Sequence, residues 1–337
     1  MPRLWGTWLI LALWALLAPA AAQAPRPADG PRAITITARS ILSFDARDQS
    51  LNRFGKLSFR GGLELTSSDK TFGGLSGLHV MADGQRFIAV TDRGNWLRGE
   101  LRYDGAKPVG VVNAEMAPML GARGRSLARR GWYDTEAMTA NGGMLYVGIE
   151  RVQRIVRFDY GRDGLSARGK PVPVPPAFRK LPSNKGIEGM VYVPRGQRLA
   201  GTLIVFAERG LDASGNHTGF LLGGPTPGSF ALPRYRDFDI SDAALLPPGD
   251  ILLLERRFTW VEGVGIRIRR IPLAQIKPGA LVDGPEIFSA DMGHQVDNME
   301  GLAVHQSGTD TVLTMVSDDN FSPLQRTLLL QFTLVEE

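Results

Sequence analysis

The sequence contains no cysteine. Disulfide stapling, thiol nucleophiles, zinc thiolate sites and iron–sulfur clusters are therefore excluded, and stability has to come from an apolar core or bound ions. Histidine is nearly as scarce: His79, His217, His294 and His305 are scattered without close ligand spacing, which argues against a histidine-rich transition-metal site. A second long apolar run is also missing. The stretch from Leu9 to Leu17, preceded by Arg3 and followed by an Ala-rich segment around Ala22 and Ala24, reads as a secretory signal peptide over residues 1–24. Nothing after it is long and apolar enough to span a bilayer, so stable membrane insertion after cleavage is not expected and a periplasmic or secreted location is. The net charge of +5 is mild, and no basic groove interleaved with aromatics appears, which sets nucleic acid aside as a partner.

Glycine and proline are plentiful, at 40 and 22 residues. Apolar runs such as "RFIAV", "MLYVGI", "TLIVFA" and "TVLTMV" alternate with turn residues, and sustained helical periodicity is hard to find. This predicts an all-β chain. Residues 25–337 are long enough for one large β domain.

A two-part unit recurs through that region. Its first part is an acid or small polar residue, then Gly or Ala, then an apolar run: "LSGLHV" at Ser76, "DTEAMT" at Glu136, "GIEGMVYV" at Glu188, "ISDAALL" at Asp242 and "NMEGLAV" at Glu300. Its second part is an apolar strand ending in an acid, usually followed by arginine: Asp92–Arg93, Glu150–Arg151, Glu208–Arg209, Glu255–Arg256, and Asp318–Asp319. Turn signals such as "ADGQ", "NGG" and "PPGD" separate the parts, so each unit reads as a hairpin. The start of one strand and the end of its antiparallel partner share an edge, which gathers the acids at one end of every hairpin. Successive strand-end acids lie 47 to 63 residues apart, the period of four-stranded propeller blades. The prediction is a single β-propeller of five or six four-stranded blades with its acids at one mouth of the central channel. The N-terminal strands "AITITARSILSF" and "KLSFRGGLEL" either complete a blade jointly with the C-terminal "TLLLQFTLV" or form a degenerate sixth.

The patterns "GGLSGLHV…TDRG", "DTEAM", "IEGM", "LLLERRF" and "NMEGLAV…SDDNF" resemble the phytase-like family, which carries the label esterase-like activity of phytase, over Ile34 to Leu334. The resemblance implies an exported bacterial propeller with distant kinship to calcium-dependent phytases. It extends the family's motif to Asp92, Arg93, Glu136, Glu188, Glu255, Arg256, Glu300, Asp318 and Asn320. Ser76 and Asp242 stand where the other units have Glu.

Carboxylates with amide oxygens suit Ca²⁺, a hard cation that takes six to eight oxygen ligands. The expected metal ligands are Asp92, Glu136, Glu188, Glu255, Glu300, Asp318 and Asn320. Arg93, Arg151, Arg209 and Arg256 suit an anionic substrate, because a guanidinium fork binds phosphate or carboxylate oxygens in pairs. His294, close before the last acidic motif, is the candidate general base. Together these point to a metal-assisted, calcium-dependent hydrolase of a small phosphoester, carboxyl ester or lactone, acting as a monomer. Two readings compete with it: each acid pairs with an arginine of the next blade and locks the ring, or the propeller is non-catalytic and binds a ligand or an envelope protein.

Overall fold

Because the apolar runs are short and interrupted by turn residues, they fold as strands, and strands buried on both faces read as nearly continuous hydrophobic stretches. A computed structural model, describing residues 30–336, arranges them in five antiparallel sheets. Blade 1 runs outward from Leu75–Val80 through Arg86–Thr91 and Asn95–Asp104 to Lys107–Pro118, with Arg32–Ala33 paired on its outer edge. Blade 2 comprises Thr135–Asn141, Met144–Ile149, Arg154–Asp159 and Arg168–Val172, with Leu120–Gly121 added in parallel. Blade 3 comprises Ile187–Tyr192, Thr202–Leu211, His217–Gly223 and Gly228–Leu232. Blade 4 comprises Asp239–Leu246, Asp250–Thr259, Gly263–Pro272 and Glu286–Asp291.

Blade 5 settles the number. Its three inner strands, Asn298–Ser307, Asp310–Asp318 and Thr327–Leu334, come from the C-terminal end, and Leu57–Thr66 and Thr37–Ile41 from the N-terminal end complete it. Leu334 pairs with Leu57, so the two ends of the described chain close one ring and no sixth blade forms among the described residues. The proposed signal segment, residues 1–24, lies outside the described residues. Among those that are described, no helix is long and apolar enough to cross a membrane.

Five apolar clusters fill the five seams between blades. Leu252, Leu254, Met315 and Phe332 join blade 4 to blade 5, for example, and Val147 and Trp96 join blade 2 to blade 1. The innermost strands touch one another around the axis, which explains the small residue in each motif. A Cβ on Gly77 would fall 2.6 Å from the backbone nitrogen of Met138 in blade 2, and one on Gly301 would fall 2.4 Å from the carbonyl oxygen of Ser76 in blade 1.

The pairing of first and second strands slips at the same place in all five blades: between Leu75 and Leu78, Thr135 and Ala137, Ile187 and Gly189, Ile240 and Asp242, and Met299 and Gly301. A bulge of this kind re-aims the side chain of the extra residue. The residues so placed are Ser76, Glu136, Glu188, Ser241 and Glu300. Blade 4 thus corrects the sequence reading by one position, since Ser241 rather than Asp242 occupies the repeat. Asp242 takes the place of the motif glycine and turns into the seam with blade 5, where its carboxylate accepts the backbone N–H groups of Leu302 and Ala243, each at 2.7 Å.

Candidate functional site

Each blade carries two positions toward the axis at the same end of the ring. The first is the bulge residue. The second is a residue at or near the end of the second strand, which lies opposite the residue two before the bulge residue: Asp92 N–H donates to Gly74, Glu150 to Asp134 and Glu208 to Gly186, while Arg256 registers with Asp239 and Asp318 with Asn298. Asp92, Glu136, Glu150, Glu188, Arg256, Glu300 and Asp318 line one cavity of about 600 Å³ into which all five blades project. Glu208 lies beside it, in an adjoining cavity that shares Arg256. Around the ring, the second position therefore reads Asp, Glu, Glu, Arg, Asp.

The carboxylates are buried and crowded. Oxygens of Glu150, Glu188 and Glu208 lie within 4.8 Å of one another. Glu136 accepts a hydrogen bond from Ser76 Oγ at 2.7 Å. Glu300 accepts from Arg256 Nη1 and Asn298 Nδ2, both at 2.8 Å. Lys185 Nζ stands 3.2 Å from Glu208, and Glu150 accepts the Gly186 N–H. Asp318 accepts the Asn320 N–H at 2.6 Å. One oxygen of Asp92, Oδ1, is buried and has no hydrogen-bond partner.

Burial is the first cause of what this does to the protons, and repulsion between neighbouring carboxylates adds to it. Together they raise Glu136 and Glu188 well above the ordinary carboxylate range, with Glu300 repelling the former and Glu136 the latter. Asp92 is pushed up to about 7, mainly by burial, as is Glu150. Asp318 rises to about 9, through burial and the charge of Glu300. Burial works against the charge of Arg256, but Glu300, Glu188 and Glu208 outweigh it and hold the guanidinium firmly protonated.

Of the residues predicted to meet here, Asp92, Glu136, Glu188, Glu300, Asp318, Asn320 and Arg256 line the cavity. Glu255 does not. It precedes the axial position by one residue, so the alternation of the strand turns it away from the axis. It is fully buried within blade 4, with Arg267 Nε and Arg269 Nη2 each 2.7 Å from its carboxylate. The sequence presents "LLLERRF" like the other strand ends, and the register gives Arg256 the place that an acid holds elsewhere.

His294 also stays away from this cavity. Its ring packs against Phe44 and Phe54, with centroids 5.1 and 5.6 Å distant, and its Nδ1 lies 3.0 Å from Asp291. Arg93 stacks on Phe321, Arg151 lies over Tyr133, and Arg209 pairs with Asp239 at 2.7 Å in the adjoining cavity. Two residues absent from the predicted ligand set, Glu150 and Glu208, supply two of the three clustered carboxylates. The recurrence of strand-end acids pointed to both.

A family profile described as "Phytase-like: Esterase-like activity of phytase" matches residues 70–321. No curated protein matches the chain. Among solved structures, aldose sugar dehydrogenase from Streptomyces coelicolor in its PQQ-bound form is 13% identical, with 89% of this chain and 99% of that one covered and a TM-score of 0.41. Glutaminyl cyclase from Myxococcus xanthus is 16% identical, covers 79% and 93%, and has a TM-score of 0.39. Both likenesses are weak, and the propeller assignment rests on the strand order described above.

Proposed function

The chain belongs to the phytase-like family, and from that premise we propose that its central cavity hydrolyses a small anionic ester with the help of a bound divalent cation, calcium by preference. The observation that carries this reading is the convergence of Glu150, Glu188 and Glu208, buried within 4.8 Å of one another, with Arg256 and Lys185 the cations beside them among the described residues.

The donor set fits a hard cation. It offers oxygen alone, in carboxylates that repel one another while ionised, and Asp92 contributes a buried oxygen with no hydrogen bond to lose. Glu150, Glu188 and Glu208 would hold the ion, with Glu136 and Asp92 nearest in kind. When bound, a divalent cation supplies Lewis-acid polarisation of an ester oxygen and favours ionisation of water.

The chain's own side chains account for the remainder. Arg256 reaches the cavity already charged and braced on Glu300, which leaves its fork fixed for the anionic group of a substrate. Lys185 and Arg209 extend that cationic side into the adjoining cavity. Asp92, raised to about 7 in the metal-free fold and outside the three-carboxylate cluster, is the carboxyl group suited to proton transfer at neutral pH, in place of the role expected of His294. Phosphoesters, carboxyl esters and lactones all present an oxygen for polarisation. Recognition by Arg256 favours substrates that also bear an anion. The proposal includes export, on the strength of residues 1–24, and action as a monomer.

The test is turnover of a panel of phosphomonoesters, anionic carboxyl esters and lactones, before and after chelation, with readdition of calcium. Hydrolysis that disappears with chelator and returns with calcium supports the reading. A chain that binds no cation and turns over none of the three classes is instead the non-catalytic ligand-binding propeller.

A further inference from the structure

We propose that a second cavity, at the mouth end of blade 4 but separate from the axis, binds a compact oxyanion such as phosphate. It has a volume of about 500 Å³ and is walled by Arg236, Arg257 and Arg267, with Ser289 on the outer strand. Nothing in the hydrolytic reading uses it.

Arg267 makes it more than a patch of surface charge. The residue is only 5% exposed, and among the described residues its one hydrogen bond runs from Nε to Glu255 at 2.7 Å. Its Nη2 is buried without a partner. A buried guanidinium nitrogen with no acceptor forgoes a charge-assisted hydrogen bond, a cost that a bound oxyanion removes. Glu255 does not meet the need alone, because it also accepts two bonds from Arg269.

The neighbouring groups favour the same ligand. Both Arg267 and Arg257 lie over the ring of Phe238, at 4.4 and 5.0 Å from its centroid, and both line the cavity. Arg257 Nε is likewise buried without a partner, and its terminal nitrogen pairs with the exposed Glu262. Two guanidinium groups lining one cavity suit an anion within reach of both. Ser289 registers with Arg267 across the strands and offers a hydroxyl on the same wall. The acids of this cavity, Glu286 and Asp291, are exposed, and Asp291 is occupied by His294 and by the Gly293 N–H at 2.8 Å.

A phosphate group reaches such a cavity as the free ion or as part of an anionic phospholipid headgroup, and titration of the full chain separates the two. Calorimetry in chelator, with inorganic phosphate in one arm and phosphatidylglycerol vesicles in the other, is compared for the native chain, Ser289→Asp and Arg267→Gln. Ser289→Asp places a negative charge at the wall without touching a buried ion pair, so it folds and keeps its ester turnover even if Arg267→Gln does not fold. Saturable phosphate binding that weakens at least tenfold in Ser289→Asp supports a free-ion site. The same loss seen with vesicles alone supports a headgroup site. Absence of binding in both arms, or binding that Ser289→Asp leaves unchanged, overturns the proposal.

Discussion

At the scale of single residues, buried acids from the same recurring unit have opposite duties in different blades. Glu188 is crowded by other carboxylates at the axis, and Glu255 is enclosed by two arginines within its blade. Glu188→Gln is therefore expected to lower turnover by about a hundredfold or more, as removal of a preorganised charge does. The same change is expected to raise the melting temperature of the chelated chain, because it deletes a buried charge that its neighbours repel. Parallel kinetics and thermal melts check the two halves. Glu255→Gln is expected to act the other way: it strands Arg267 and Arg269 in the interior and costs about 3–5 kcal/mol of stability, read by denaturant titration, while the folded fraction keeps its turnover. Arg256→Gln is expected to weaken anionic esters by about tenfold or more relative to neutral lactones, which a ratio of kcat/KM values measures.

At the scale of the strand, the bulge and the glycine after it form one device: the bulge aims a side chain at the axis, and the missing Cβ lets adjacent inner strands close up. Gly301→Ala is expected to destabilise the chain by about 1–3 kcal/mol, since the added methyl meets the Ser76 carbonyl, which belongs to backbone and cannot swing away. Equilibrium unfolding measures it. Much of this unit was legible in the sequence, because apolar runs, turn residues and recurring acids survive as a pattern without coordinates. The one-residue slips were not, because a strand's period of two looks the same on either side of a bulge. That is why Asp242 and Glu255 looked axial, while Ser241 went unnoticed and Arg256, read as a substrate-binding arginine, was not seen to hold the place that an acid holds in the other blades. His294 sat near the right motif in the chain, but the aromatic rings of Phe44 and Phe54 had claimed its face.

At the scale of the whole molecule, the ring concentrates charge that only protons or a cation relieve. Asp92 and Glu150 titrate near 7 and Asp318 near 9 in the metal-free fold, against ordinary values of 3.8 and 4.5, so the folded chain holds these protons more tightly than the unfolded one. The resulting stability is complete below about pH 4 and is lost as pH rises through 7 toward 9. In chelator, the melting temperature is expected to fall by roughly 5–10 °C between pH 5 and pH 9, and calcium is expected to flatten that slope. A scanning fluorimetry series at fixed ionic strength measures both.

The pairing of Leu57 with Leu334 also sets a schedule. During synthesis, the strand Leu57–Thr66 emerges well before its partner Thr327–Leu334, so its edge stays unmatched while the four intervening blades are made. Contacts this distant in sequence slow folding, and an open edge invites pairing with another chain. The nascent protein thus stays open to edge-to-edge aggregation until Thr327–Leu334 has been made and covers Leu57–Thr66.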